Sequence, residues 1–180
     1  RRQRQMCIRD RIGVSAVFPV KVTAIYNNAA NLQSVTVHIF GGGMRHDIRA
    51  EFEDTVYMYG SRLAQDGIRL DYLDNDDIIP EVPCDVSRMR QVFLNILDNA
   101  AKHGGDGKVI EASIHYEEDA VRVHIRDFGP GIPEDEIPLV KKKFYKGSSS
   151  ARGTGIGLAV CDEIVQMHNG TLTLENADGG

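Results

Sequence analysis

No run of apolar residues in this 180-residue chain approaches the roughly 18 that a membrane-crossing helix needs. The basic start is not followed by a long apolar core, so nothing here resembles a complete secretory signal. Cysteine is scarce: Cys7, Cys84 and Cys161 stand far apart with no CxxC pair, which argues against a disulfide framework or a zinc site and fits a reducing compartment. Charge of one sign is lacking too. The 21 Lys and Arg against 26 Asp and Glu leave a net charge of -5, which gives no general reason to expect nucleic acid as a partner. What the chain does have is 42% apolar residues, enough for a core, and a length that fits one domain with room for a second small element.

The most informative stretch is QVFLNILDNAAKH, Gln91 to His103. Met89, Val92, Phe93, Ile96, Leu97 and Ala100 recur at helical spacing and give one apolar face. At about 100° per residue, Asn95, Asn99 and Lys102 fall within a sector of roughly 60° along its edge. A neutral amide oxygen can complete the shell of Mg²⁺ without adding negative charge beside a triphosphate. Lys102 can meet a phosphate as a point charge. A surface helix with merely solvated Asn side chains would carry the same letters. Asp85 is the expected N-cap of this helix and Gly104-Gly105 its end.

Two strands are expected next. They are Val109 to Tyr116 and Val121 to Asp127, joined as a hairpin by the acidic turn Glu117 to Asp119. In the second, Val121, Val123 and Ile125 alternate with Arg122, His124 and Arg126. That strand delivers Asp127 into Phe128-Gly129-Pro130-Gly131-Ile132-Pro133. A buried carboxylate beside glycines that admit a flat ring can accept a hydrogen bond from an exocyclic amine such as adenine's. An Asp capping a Gly-Pro turn is the plainer reading. The letters DFG do not signal a protein kinase of the Ser/Thr/Tyr type, because no HRD loop, VAIK strand or APE accompanies them.

Pro133 to Phe144 opens with Asp135 and Glu136 and ends in Lys141-Lys142-Lys143, which suits a helix dipole and predicts a helix. Lys146 to Gly153 (KGSSSARG) reads as a mobile loop. Gly153-Thr154-Gly155-Ile156-Gly157-Leu158 then opens a helix that runs to about Met167. Glycines there expose backbone N–H groups to phosphate oxygens, and a tight packing turn would use the same residues. It is not a Walker A loop, since no GK[ST] follows. Asn169-Gly170 is a turn and Thr171 to Glu175 alternates as a strand. Upstream, Ile48 to Gly67 is helical, Ile68 to Leu73 is a short strand, and Asp74 to Pro83 is an acidic loop.

NILDNAAKH, DFGPGI and FYKGSSSARGTGIGLAV, in that order, resemble the N, G1, F and G2 boxes of the GHKL ATPases. The nearest likeness is to the catalytic ATP-binding domain of bacterial sensor histidine kinases. It covers most of the chain, from about Ile48 to Gly180. The resemblance implies an α/β (α+β) two-layer sandwich, a mixed, largely antiparallel sheet with helices on one face. It implies that Asn99 ligates Mg²⁺ with Asn95 in support, and that Lys102 and His103 approach the phosphates or ribose. Asp127 would recognise the adenine amine, with Gly129 and Gly131 shaping the pocket. Phe144 would anchor the base of an ATP lid and Lys146 would reach the γ-phosphate. Gly153, Thr154, Gly155, Gly157 and Leu158 would form the hinge and phosphate turn.

The activity so implied is a protein histidine kinase that transfers the γ-phosphoryl group of ATP to a His for relay to a response regulator. That His belongs to a dimerisation element. His46-Asp47-Ile48-Arg49 resembles the start of an H box, but Ala50-Glu51-Phe52 breaks the expected pattern and His46 sits too close to Asn95 for a two-helix hairpin. His38, His115, His124 and His168 have no such context. The chain thus reads as a fragment without its phosphoacceptor, not autophosphorylating alone, and ending before the family's last strand. Its parent is expected to be a homodimer at the cytoplasmic membrane with this domain in the cytoplasm. A serine kinase of the anti-sigma type and a nucleotide-binding module without catalysis are the rival readings. A MutL- or gyrase-like ATPase fits less well.

Residues 1–45 declare no chemistry. Val14 to Tyr26 and Ser34 to Phe40 suggest strands, with a break at Gly41-Gly42-Gly43. Arg1 to Arg11 holds five Arg and one Asp. It reads as a solvated tail, less readily as a nucleic-acid arm. It also resembles translated adaptor sequence, which would make it non-native. The expected catalytic domain is 46–180.

Overall fold

The structure, a computed structural model, describes residues 20–28, 31–39, 44–103, 108–117, 120–145, 155–168 and 170–176. For 20–28, 31–39 and residue 117 the description is of the backbone. The expectations for Arg1 to Arg11, the Gly41-Gly42-Gly43 break, the Gly104-Gly105 stop, the loop from Lys146 through Gly153 and Thr154, Asn169 and the last four residues lie outside the described residues.

In chain order the elements are β1 (Val20–Asn28), β2 (Asn31–Ile39), β3 (Arg45–His46), α1 (Ile48–Leu63), β4 (Arg69–Tyr72), β5 (Val82–Pro83), α2 (Val86–His103), β6 (Val109–Glu117), β7 (Ala120–Asp127) and α3 (Gly157–Met167). An aspartate caps each of the two long helices, and Asp85 is the cap expected from the sequence. Asp47 Oδ1 accepts from Ala50 N at 3.0 Å, and Asp85 Oδ1 accepts from Arg88 N at 3.1 Å. After α1 a 3₁₀ turn over Ala64–Asp66 leads to Gly67 at φ 72°, the left-handed conformation that stops the helix.

Five strands form one mixed sheet in the order β2-β1-β7-β6-β4, and β3 pairs with β5 in a small second sheet. The long pairings, β1 with β2 and β6 with β7, are antiparallel; the shorter β1–β7 and β4–β6 pairings are parallel. The two strands from the segment that declared no chemistry therefore stand in the sheet beside β7. His46 pairs with Val82 in the small sheet.

The alternation on β7 sets the layers. Val121, Val123, Ile125 and Asp127 are buried, while Arg122, His124 and Arg126 are only half-buried. The buried side meets the helices: Ile48, Phe52, Val56 and Leu63 of α1, Met89, Val92, Phe93, Ile96 and Leu97 of α2, and Ile164 and Val165 of α3 share one core with Ile110, Ile114, Val123 and Ile125. Phe52 and Phe93 meet edge-on at 5.0 Å between centroids. Each such large side chain contributes about 1.5–3 kcal/mol by leaving water.

The free edge of β6 is covered by side chains. Beyond β4, Asn75 Nδ2 donates to Ile114 O at 2.6 Å, and Asp77 Oδ2 accepts from Tyr116 N at 3.3 Å. Arg49 of α1 holds this loop, donating to Asn75 Oδ1 at 3.0 Å and Asp77 O at 2.8 Å. Ile114 O and Tyr116 N are thus satisfied without a longer strand.

Two sequence expectations are corrected. Pro133 to Phe144 is a run of turns, not a helix, with bonds such as Glu136 N to Pro133 O and Leu139 N to Glu136 O. Pro138 is the reason: it has no N–H to donate to Glu134 and it disfavours the helical conformation at Ile137. Thr171 to Glu175 alternates as expected, with Leu172 and Leu174 buried, but it is not a strand in the structure.

Candidate nucleotide site

Three pieces of the chain carry the residues singled out in the sequence. The first is α2. Asn95 and Asn99 are half-buried along the edge of its apolar face, Lys102 is exposed and His103 half-buried, so the helical sector read from spacing is real. Lys102 does not extend freely, however. Its Nζ is bonded to Asp98, one turn earlier, and Asp98 also accepts from Tyr59 OH of α1 at 3.1 Å. Burial, then the Asp98 carboxylate, push the Tyr59 phenol well above its ordinary range, so it stays a donor. His103 is held below its ordinary value by burial and then by the Lys102 charge, Asp98 opposing them, which leaves a neutral imidazole.

The second piece is the start of α3. Two contacts fix it against α2. His168, just after α3, accepts at Nε2 from Asp85 N at 3.1 Å. Cys161 Sγ lies 3.8 Å from Val92 O. The carboxyl end of α3 therefore meets the amino end of α2, and the helices run antiparallel. At about 1.5 Å rise per residue, continuing back from Cys161 to Gly157 brings the amino end of α3 to the turn of α2 that holds Asn95 and Asn99. Asn95 and Cys161 touch directly: burial pushes the Cys161 thiol up to about 12, with a hydrogen bond from Asn95 working the other way.

That amino end is open to an anion. The cap residue, Ile156, offers no side-chain hydrogen bond and the first turn holds no acidic residue. Among the described residues, a Cβ placed on Gly157 would meet nothing within 4 Å. Leu158 is half-buried against the core and anchors the turn. Gly155 differs: at φ 68°, a Cβ there would lie 2.4 Å from Tyr145 O. The close approach serves a hydrogen bond from Phe144 N to Gly155 O at 2.9 Å. Phe144 itself is in the left-handed region at φ 64° and is 73% exposed. The backbone of Phe144, not its ring, thus joins the two stems. Lys146, Gly153 and Thr154, between them, lie outside the described residues.

The third piece is the end of β7. Asp127 is 1% exposed on the helix side of the sheet. Its Oδ1 accepts from Gly129 N at 2.9 Å, which fixes the carboxylate in a tight turn. Gly131 is at φ 75°, a conformation that suits glycine. Ile132, Ile137 and Val140 then pack on the core. Lys141 ties this segment to α3, donating to Leu172 O at 2.8 Å and pairing with Asp162 at 3.3 Å. The chain that leaves Asp127 thus runs along α3 and returns to its amino end at Gly155.

Sequence spacing could have shown the Asp98–Lys102 pair, which is an i,i+4 contact. It could not have shown Cys161 beside Asn95, because only the packing of two distant helices joins them.

Comparisons with known proteins show the family and the fold. The family of histidine kinase-, DNA gyrase B-, and HSP90-like ATPases matches residues 84–180, and the chain belongs to that family. It is 39% identical over 112 residues to the adaptive-response sensory kinase SasA of Prochlorococcus marinus, an overlap covering 58% of this chain and 29% of the relative. It is 38% identical over 99 residues to the signal transduction histidine-protein kinase AfsQ2 of Streptomyces coelicolor, covering 53% of this chain and 18% of that protein. The chain therefore spans less than a third of either. Among solved structures, the mycobacterial sensor histidine kinase MprB aligns with a TM-score of 0.59 at 26% identity, over 76% of this chain and 97% of that one. ShkA, solved in complex with AMPPNP, shares the fold with a TM-score of 0.62 at 21% identity, over 76% of this chain and 31% of that one. The expected α/β sandwich of this family is the fold observed. Among the described residues no helix is long and apolar enough to cross a membrane.

Proposed function

We propose that this chain is the ATP-binding catalytic piece of a sensor histidine kinase and that its nucleotide lies across α2, the amino end of α3 and the turn after β7. The observation that carries the reading is the convergence of the Asn95–Asn99 edge of α2 with the uncapped amino end of α3. Asp127 takes the exocyclic amine of adenine, while Gly129 and Gly131 leave room for the ring. The N–H groups that begin α3 and the space beside Gly157 take phosphate oxygens. Lys102 exchanges Asp98 for a phosphate, and Lys146 adds a second cation. His103, neutral, offers a hydrogen bond without adding charge. To Phe144 we assign the anchor of a lid, and to Gly153, Thr154 and Gly155 the hinge and phosphate turn that the family resemblance implies.

The donor set fits Mg²⁺. Asn99, with Asn95 behind it, supplies neutral oxygen, which suits an ion that shares its shell with phosphates and water. When bound, the ion neutralises charge on the β- and γ-phosphates. The residues of this chain bind and orient; none serves as nucleophile. The acceptor we assign to a His on a dimerisation element of the same parent protein. The bond from the γ-phosphorus to its bridging oxygen breaks, a nitrogen–phosphorus bond forms and ADP leaves. The phosphoryl group then passes to an Asp of a response regulator. The parent works as a homodimer at the cytoplasmic membrane, with this domain in the cytoplasm.

The test mixes this chain with γ-labelled ATP, Mg²⁺ and a His-bearing dimerisation element of a sensor kinase. Acid-labile, alkali-stable label on that element supports the proposal. Label on a Ser of an added protein favours the serine-kinase reading. Tight ATP binding without transfer to any acceptor favours a binding module.

A further inference from the structure

We propose that Arg126 and Phe128 are positioning residues for Asp127 and so set how well the site distinguishes adenine from a purine without its exocyclic amine. The inference rests on the reading that Asp127 takes that amine. Its starting point is the alternation of β7. Asp127 faces the helices and is buried, while Arg126, one residue earlier, faces the other side of the sheet. Phe128, one residue later, turns back to the Arg126 side. The guanidinium carbon lies 4.4 Å from the centre of the Phe128 ring.

Arg126 is held in place from across the sheet. It stands opposite Glu111 of β6 in register, with Nη1 3.8 Å from Glu111 Oε2. Both side chains are about one third exposed, at 33% and 29%, so neither the ion pair nor the ring contact is fully diluted by water. Arg126 Nε is buried and makes no hydrogen bond among the described residues. Among the described side chains, the ring and Glu111 are the contacts that place the guanidinium.

The link to Asp127 is covalent geometry. The peptide joining Phe128 to Gly129 is a single plane. Its carbonyl belongs to Phe128, and its N–H is the donor that fixes Asp127 Oδ1 at 2.9 Å. Anchoring the Phe128 ring on Arg126 fixes the start of that plane, hence the direction of the N–H, hence the carboxylate. Glycine at 129 cannot do this alone, because it has no side chain to anchor and a wide choice of backbone angles. The back of the sheet thereby holds the carboxylate that works on its front.

The experiment measures the affinity of Mg-ATP and of the Mg complex of purine riboside triphosphate, which lacks the amine. It compares wild type with Arg126→Ala, Arg126→Lys, Phe128→Leu and Phe128→Tyr. Wild type should prefer ATP. Arg126→Ala and Phe128→Leu should shrink that preference about three- to tenfold, the range of a partly desolvated cation–π contact, with the affinity for purine riboside triphosphate unchanged. Arg126→Lys and Phe128→Tyr should keep most of it. Should Arg126→Ala fail to fold, the Phe128→Leu and Phe128→Tyr pair carries the same comparison. An ATP preference unchanged in Phe128→Leu, or an equal loss of both nucleotides, overturns the positioning role while leaving the Asp127 reading intact. A folded wild type that binds both nucleotides equally, or neither, overturns the Asp127 reading and this inference with it.

Discussion

Two glycines two residues apart should respond in opposite ways to the same methyl group. At Gly155 the added Cβ lies 2.4 Å from Tyr145 O and 3.0 Å from the Phe144 carbonyl carbon, at φ 68°. The left-handed backbone costs Ala about 1–2 kcal/mol. Moving Tyr145 away breaks the 2.9 Å bond from Phe144 N to Gly155 O, worth about 1 kcal/mol. Gly155→Ala should therefore lose about 2–3 kcal/mol, an effect that lowers Tm by roughly 4–12 °C for a chain of this size if the junction opens only with the fold. At Gly157 the Cβ meets nothing among the described residues and the residue begins α3, so Ala is neutral or gains up to about 1 kcal/mol. That empty space is where we place phosphate, so Gly157→Ala should weaken ATP binding while Tm holds or rises. Thermal unfolding and ATP titration on both variants make the check. If Gly155→Ala melts like wild type, the Phe144–Gly155 junction does not exist in solution. If Gly157→Ala binds ATP as wild type does, the phosphates do not sit there.

Other expectations follow from single groups. Burial, with His115 and Arg122 beside it, pushes the His124 imidazole down to about 4 from an ordinary 6.5. Between those values the unfolded chain takes up a proton that the folded chain refuses, so stability falls as pH falls from 6.5 to 4, by about 2–3 kcal/mol. Urea unfolding across that window should show a shallower loss in His124→Gln; equal slopes would refute the half-buried, neutral imidazole. Burial pushes the Cys84 thiol up to about 11 and Cys161 up to about 12. In a Cys7→Ser variant, a thiol-reactive disulfide reagent at neutral pH should therefore titrate no thiol before unfolding; prompt reaction would contradict their packing. Lys102→Ala removes one exposed helix pair, so stability should change by only about 0.5 kcal/mol. ATP affinity should fall about tenfold if Lys102 leaves Asp98 for a phosphate, as a charge-assisted contact requires, and an unchanged affinity would leave it a surface pair.

The sequence made the helices and β7 legible because a single face of each is apolar. Met89, Val92, Phe93, Ile96 and Leu97 repeat at helical spacing, and all are buried. Val121, Val123 and Ile125 alternate, and all face the core. Asp85 marks the start of α2 by local chemistry that needs no distant partner. What could not be read is pairing over distance. Nothing in Val20–Asn28 says that its neighbour is β7, since a strand pattern specifies a face and not a partner. The segment from Pro133 misled because its charges suit a helix dipole while Pro138 forbids the helix. At the site, Asn95, Asn99, Asp127 and Gly157 were visible as residue types in the right order. The ties that hold them, Cys161 to Asn95 and Lys141 to Asp162, depend on tertiary packing, whereas the Arg126–Phe128 contact follows from i,i+2 alternation and was open to a sequence reading.

The nucleotide site itself is tested most directly by titrating this chain and its Asp127→Asn variant with a fluorescent ATP analogue, with and without Mg²⁺, while circular dichroism confirms that both are folded. The account predicts Mg²⁺-dependent binding by wild type and its loss in Asp127→Asn, because a carboxamide presents its own N–H₂ where adenine needs an acceptor. A folded wild type that binds no nucleotide, or an Asp127→Asn variant that binds as tightly as wild type, would contradict it.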